Sequence, residues 1–157
     1  MSDFEILIRP ADKGDLRHII EIENRSFTDP WTLSMFNSHF SSKSGVTLVA
    51  VYEGELCAYI NAYVLDGDSE KLDGECEIAN IAVAPKFRRK HVACKLIEAV
   101  MSIAAKRNCS KSFLEVRESN LAAQSFYLKY GFEVCGRRKN YYNSPREDAV
   151  LMMREIY

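Results

Sequence analysis

The chain has 157 residues, of which 47% are apolar, 27% charged and 11% aromatic, and its 21 basic and 22 acidic side chains give a formal net charge of −1. That length suits one domain, 1–157, able to bury roughly 70% of its unfolded surface. The composition excludes a disordered tail, a collagen-like chain and a low-complexity scaffold, and the near-neutral balance argues against direct binding to nucleic acid, which calls for a basic excess.

Phe4 to Arg9 reads as a short strand ended by Pro10. Asp12 is placed to cap a helix that carries Leu16, Ile19, Ile20 and Ile22 on one face. Pro30-Trp31-Thr32 opens a second helical stretch with Leu33, Met35, Phe36 and Phe40. Thr47 to Tyr52 and Leu56 to Leu65 are rich in strand formers, and Glu53-Gly54-Glu55 between them predicts a tight hairpin. Asp66 to Asp73 is an acidic loop, and Glu75 to Val83 is a strand stopped before Pro85. Val92 to Arg107 is the clearest helix: Val92, Leu96 and Val100 fall four apart, with Ala93, Ile97 and Ala104 beside them. Ser112 to Val116 is a short strand. Asn120 caps a helix from Leu121 to Tyr130, and Gly131 stops it. Phe132 to Cys135 and Ala149 to Ile156 close the order as strands. This succession predicts an α/β (or α+β) sheet with helices on both faces.

Cys57, Cys76, Cys94, Cys109 and Cys135 lie in apolar runs without a C-x-x-C pair, and read as reduced core residues. His18, His39 and His91 show no zinc-type spacing, so no metal is expected. Met1-Ser2-Asp3-Phe4-Glu5 lacks the blocks of a secretory signal, and no apolar run approaches the ~20 residues of a membrane span. The expected setting is the cytoplasm, with no membrane partner.

The stretch richest in chemical meaning runs from Asn80 to Ala93. An apolar strand enters a loop bearing Lys86, Arg88, Arg89 and Lys90, which opens the best helix in the chain. A helix start offers unpaired N–H groups and partial positive charge, so it is an anion site in waiting. Cations there oppose the helix dipole unless an anion resolves the conflict. A solvated basic loop is the competing reading.

Arg88, Arg89-Lys90, His91, Val92 and Ala93 resemble the Gln/Arg-x-x-Gly-x-Gly/Ala signature by which the GNAT superfamily of N-acetyltransferases holds acetyl-CoA. Three more segments extend the resemblance. They are Phe27-Thr28-Asp29-Pro30-Trp31-Thr32, then Leu114 to Asn120 with Phe126-Tyr127 and Gly131-Phe132, then Arg138 to Tyr142 with Glu147-Asp148-Ala149 and Met152. Together they resemble the RimI-type branch, the ribosomal-protein-alanine N-acetyltransferases. His91 stands where that family has its first glycine. A histidine keeps its N–H available if φ stays helical.

The resemblance implies a single mixed, mostly antiparallel twisted sheet. It implies direct acetyl transfer from acetyl-CoA, without a metal, to the N-terminal amine of a ribosomal protein. Glu115 is then the general base and Tyr127 the general acid. Ile81, Ala82 and Val83 line the thioester arm through their backbone, Arg88, Arg89, Lys90, His91, Val92, Ala93 and Cys94 surround the pyrophosphate, and Asn120 adds a contact. Trp31, Tyr141 and Tyr142 face the acceptor. The residues alone leave Glu115 open to being a surface carboxylate, Tyr127 a core aromatic and Asn120 a plain helix cap. The resemblance places the acidic run Asp66, Asp68, Glu70, Asp73, Glu75 and Glu77 near the acceptor groove, where it would steer a cationic peptide; on the residues alone a solvated acidic loop is the competing reading. A small-amine acceptor and a cofactor-binding module without turnover remain the alternatives.

Overall fold

The computed structural model describes residues 5–156; Phe4, and the reading of the four residues that begin the chain, lie outside the described residues. In chain order the elements are β1 (Leu7–Pro10), α1 (Leu16–Ser26), α2 (Leu33–Ser41), β2 (Gly45–Tyr52), β3 (Glu55–Leu65), β4 (Gly74–Val83), α3 (Val92–Lys106), β5 (Cys109–Arg117), α4 (Leu121–Lys129), β6 (Glu133–Tyr142) and β7 (Glu147–Glu155). The strands form one sheet in the order β1-β2-β3-β4-β5-β7-β6. Every neighbouring pair is antiparallel except β4 and β5, which run parallel because α3 crosses over between them. This is the mixed, mostly antiparallel α/β sheet that the family resemblance implies.

Side-chain alternation sends apolar residues to both faces of the sheet. On one face Ala58, Ile60 and Leu114 meet Leu96, Ile97 and Val100 of α3 and Tyr127 of α4. On the other, Val49, Tyr59 and Ala82 meet Leu16, Ile19 and Ile22 of α1 and Phe36 of α2. Each large aliphatic buried here contributes about 1.5–3 kcal/mol.

Local chemistry fixes several boundaries. Glu53 and Gly54 both take positive φ, 48° and 80°, which turns β2 back onto β3 in two residues. Asp15 grips Arg9 through two bonds of 2.7 and 2.9 Å and accepts from the Asp12 N–H, so α1 starts at Leu16, one turn after Asp12. Pro10 belongs to β1, where it pairs with Leu48; an edge strand tolerates a proline.

The largest departure from the sequence reading is β6, which runs to Tyr142 rather than stopping at Cys135. It is an edge strand, exposed along nearly its whole length, so its residues Arg137-Arg138-Lys139-Asn140 carry no apolar alternation to announce it. Cys135 on that strand is exposed and Cys94 half-buried, whereas Cys57, Cys76 and Cys109 are buried as expected. Burial pushes the Cys76 thiol up to about 12.

Candidate functional site

The sheet opens at one seam. β4 and β5 pair from Gly74 opposite Cys109 to Ile78 opposite Leu114, then separate, although β4 continues to Val83 and β5 to Arg117. The cause lies on the other edge of β4. Asn80 pairs with Asn61 and Ile78 with Ala62, which leaves Ala79 as an extra residue. Such a bulge bends and twists its strand. It also switches the strand's phase. Cys76 and Ile78 face α3 before it; Ile81 and Val83 do so after it, while Asn80 and Ala82 turn toward α1. The parted strands enclose a cleft of about 360 Å³. Among the described residues, the β4 edge facing β5 has no strand partner from Ala79 onward, so its backbone polar groups await one.

Eight of the residues singled out in the sequence line this cleft: Ile81, Val83, Ala93 and Asn120 at the end toward α3 and α4, Glu115 and Tyr127, and Trp31 and Tyr142. Ala82 is not on its wall; its side chain is buried against α1, because the bulge turned it there. Arg88, Arg89, Lys90, His91 and Cys94 gather around the start of α3 just beyond the cleft, and Val92 is 2% exposed in the core. Tyr141 lies outside the wall, beside Glu115 and Tyr142.

The start of α3 is left open. His91 precedes it with φ 61° and ψ 20°, and makes no side-chain cap. The right-handed helical φ allowed by the sequence reading is thus replaced by the left-handed region, with Arg89 at φ 62° as well. This is where glycine sits at no cost and another residue costs about 1–2 kcal/mol. Arg88 donates from Nε to the Val83 carbonyl at 3.1 Å, which fastens the loop to the end of β4. Lys86 does not join the other cations: it pairs with Glu55 at 2.8 Å and lies 5.1 Å from the Phe87 ring centre. Asn120 is a true cap, its Oδ1 accepting from the Ala123 N–H at 3.1 Å, and it stands on the cleft wall too.

Glu115 sits at the seam with its side chain 17% exposed. Its Oε1 is ion-paired with Arg138, 2.8 Å from Nε. The Glu115 carboxylate beside the Tyr141 phenol, with burial, holds the Tyr141 pKa up at about 12. Glu77 on β4 is raised by burial and then by the negative Glu115. Tyr127 is buried, with its ring centre 5.3 Å from Phe126 and 5.6 Å from Phe132. Burial holds its hydroxyl well above the ordinary phenol range. It is therefore both a core aromatic and a cleft residue.

The opposite wall is tied down by Glu23, which the sequence reading passed over, and by Arg117 and Thr28, to which it gave no role. Glu23 of α1 is 1% exposed and lines the cleft. Its two oxygens accept from the Trp31 N–H at 3.0 Å and from Asn80 Nδ2 at 2.9 Å, which joins α1, the segment before α2 and β4. Desolvation raises its pKa. A signal existed: Leu16, Ile19, Ile20 and Glu23 share one helical stripe, so a carboxylate stood on the apolar face. Arg117 lies 4.4 Å from the Tyr142 ring centre and donates to Glu147 and to the Asn143 and Pro145 carbonyls. Thr28 reaches the Ser144 carbonyl at 3.3 Å, so the α1–α2 and β6–β7 connections touch.

The acidic loop is elsewhere. Asp66 pairs with Arg107, and Asp68 and Asp73 accept backbone N–H groups within the loop itself. It precedes β4, whereas the cleft opens at the far end of that strand. Glu75 and Glu77 alone of the acidic run line a second groove, of about 340 Å³, that adjoins the cleft through Leu114 and Glu115.

Residues 16–132 match the family model described as the acetyltransferase (GNAT) family. The [ribosomal protein bS18]-alanine N-acetyltransferase of Escherichia coli strain K12 is 33% identical over 148 residues, which cover 92% of this chain and 94% of the relative. An N-alpha-acetyltransferase of Saccharolobus solfataricus is 30% identical over 158 residues, covering 97% and 94%. The crystal structure of the ribosomal-protein-S18-alanine N-acetyltransferase from Escherichia coli superposes with a TM-score of 0.83 at 28% identity, over 97% of this chain and 94% of that one.

Proposed function

This chain belongs to the GNAT acetyltransferase family, and from that premise we propose that it transfers acetyl from acetyl-CoA to the N-terminal α-amine of a ribosomal protein, one that begins with alanine. The observation that carries the reading is the seam itself. Glu115 and Tyr127 share one cleft with Ala93 and Asn120 at one end and Trp31 and Tyr142 at the other. Acetyl-CoA fits what the chain leaves unpaired. The open β4 edge suits amide groups of an extended arm, and the uncapped α3 start among cations suits a pyrophosphate. When bound, it supplies the thioester whose acetyl carbon is transferred.

The chain's own residues handle the protons. An α-ammonium has a pKa near ~8 and attacks only after losing its proton; Glu115 takes it, directly or through one water. Tyr127, kept protonated by its burial, gives a proton to the leaving sulfur and regains one from the second proton that the nitrogen sheds as the amide forms. Ile81 and Val83 flank the arm through their backbone, and Arg88, Arg89, Lys90, His91 and Cys94 surround the phosphate end. Trp31, Tyr141 and Tyr142 border the acceptor. Holding both reactants in one cleft supplies much of the rate by itself. Glu75 and Glu77 in the adjoining groove favour a cationic acceptor, and ribosomal proteins are basic. The Escherichia coli relative is named for ribosomal protein bS18; this reading carries that acceptor over.

The test is intact-mass detection of transfer from acetyl-CoA to a basic peptide that starts with alanine, beside an N-terminally blocked copy. The free peptide is expected to gain one acetyl group and the blocked copy none. Acetylation of both, or of a polyamine alone, overturns the α-amine reading.

A further inference from the structure

The second groove lies against the cleft and shares Leu114 and Glu115 with it. The strand register lays out its floor in rows. Glu115 stands opposite Leu151; two residues further along, Tyr63, Glu77 and Phe113 lie side by side; beyond them come Leu65 and Glu75. Glu77 precedes the bulge, so it turns away from α3, whereas Cys76 and Ile78 turn toward it. On that face α2 holds the Tyr63 ring, with His39 edge-on at 4.6 Å. Among the described residues the Glu77 carboxylate has no ion pair or hydrogen bond, and burial and the negative Glu115 both raise its pKa. The cations nearby are placed elsewhere: Arg138 is paired with Glu115, and Lys111 stands opposite Glu75. We propose that this groove receives the side chain of the acceptor's second residue, that this residue is basic, and that Glu77 selects it.

This rests on the α-amine reading and names what that reading leaves open, the residue after the alanine. An extended chain sends successive side chains to opposite sides. With the amine at Glu115 and the first side chain in the cleft, the second falls to the groove on the other side of that carboxylate. The row of Glu77 is ~6.6 Å further along the strands than that of Glu115. A lysine or arginine spans such a step, and its hydrocarbon stem covers apolar surface while its charge stays at the rim. Phe113, Leu151 and the Tyr63 ring offer that surface, and Glu77 offers the charge. The groove is open to water, so the pair is worth little more than a surface ion pair. It chooses among acceptors and leaves the chemical step to the cleft.

The test compares kcat/KM for three alanine-starting peptides of one composition, with a single arginine at position 2, 3 or 4 and glutamine at the other two. Because their charge is the same, long-range attraction cancels among them. The wild type is expected to favour arginine at position 2 about fivefold over either other position. Glu77→Gln should bring the three within about twofold of one another. Glu77→Lys should prefer a peptide with glutamate at position 2 to the one with arginine there. Ratios among peptides read selection apart from any general loss through an altered fold. Equal rates in the wild type, a preference for position 3 or 4, or a position-2 preference that survives Glu77→Gln would each overturn the proposal and leave α-amine transfer standing. No transfer to any of the free peptides overturns the α-amine reading, and this proposal with it.

Discussion

On the α3 side of the cleft the helix begins without a cap, at a histidine in a glycine conformation, and the β4 edge carries backbone groups with no strand to meet them. On the α1 side, Glu23 spends both oxygens on Trp31 and Asn80, and Arg117 spends its donors on Glu147 and two carbonyls. The first wall is unfinished and the second is braced from within. An unfinished wall gains its partners from a ligand whose polar groups repeat, such as an amide arm ending in phosphates. A braced wall presents a fixed shape, and is suited to choosing among acceptors. Changes on the two walls should therefore separate: one set moves acetyl-CoA affinity, the other moves the KM of the acceptor.

Glu115 belongs to neither wall, since it stands where they meet, and its loss should be the largest effect. Glu115→Gln keeps an oxygen beside Arg138 but removes the base. We expect kcat/KM for an alanine-starting peptide to fall about a hundredfold or more, with acetyl-CoA affinity within twofold of the wild type. CoA release followed by thiol trapping, with calorimetric titration beside it, reads both. A drop of less than threefold would return Glu115 to the surface carboxylates. On the braced wall, Arg117→Ala frees Tyr142 and the β6–β7 connection together. The expected result is a peptide KM raised about tenfold, consistent with the loss of charged hydrogen bonds worth roughly 1.5–3 kcal/mol each, discounted for a half-open site. A matching loss of acetyl-CoA affinity would erase the distinction between the walls.

How much of this the sequence disclosed divides along the same line. The unfinished wall is local in sequence. The strand, the basic loop and the helix start occupy Asn80 to Ala93, so periodicity and charge alone marked them. The α1, α2 and α3 helices and the β2–β3 hairpin were legible for the same reason. The braced wall is assembled from distant pieces. Glu23 meets Asn80 57 positions away and Thr28 meets Ser144 116 positions away, and no window contains both partners. The bulge at Ala79 was hidden as well, because Glu75 to Val83 reads as one unbroken strand whether or not its phase changes. That phase change is why Ala82 turns to α1 while Ile81 and Val83 turn to the cleft side. The acidic loop misled because charge pattern shows sign and not address: Asp66 is taken up by Arg107, and Asp68 and Asp73 by the loop's own N–H groups.

The smallest expected effect falls on the unfinished wall, at His91. A left-handed φ of 61° costs a β-carbon-bearing residue about 1–2 kcal/mol, and histidine among those least. His91→Gly removes that strain, yet glycine also frees the unfolded chain, at a cost of about 0.4–1 kcal/mol. The two nearly cancel, so the melting temperature should stay within about 3 °C. Acetyl-CoA affinity should rise no more than about threefold, as the backbone loses the ring that stands beside it. His91→Val separates the terms. It keeps the β-carbon, adds a branch that the left-handed region tolerates poorly, and should lower stability by about 1–3 kcal/mol. If valine were accepted without loss, the left-handed start of α3 would not persist in solution. The unfinished wall would then owe its openness to the cations around it rather than to its backbone.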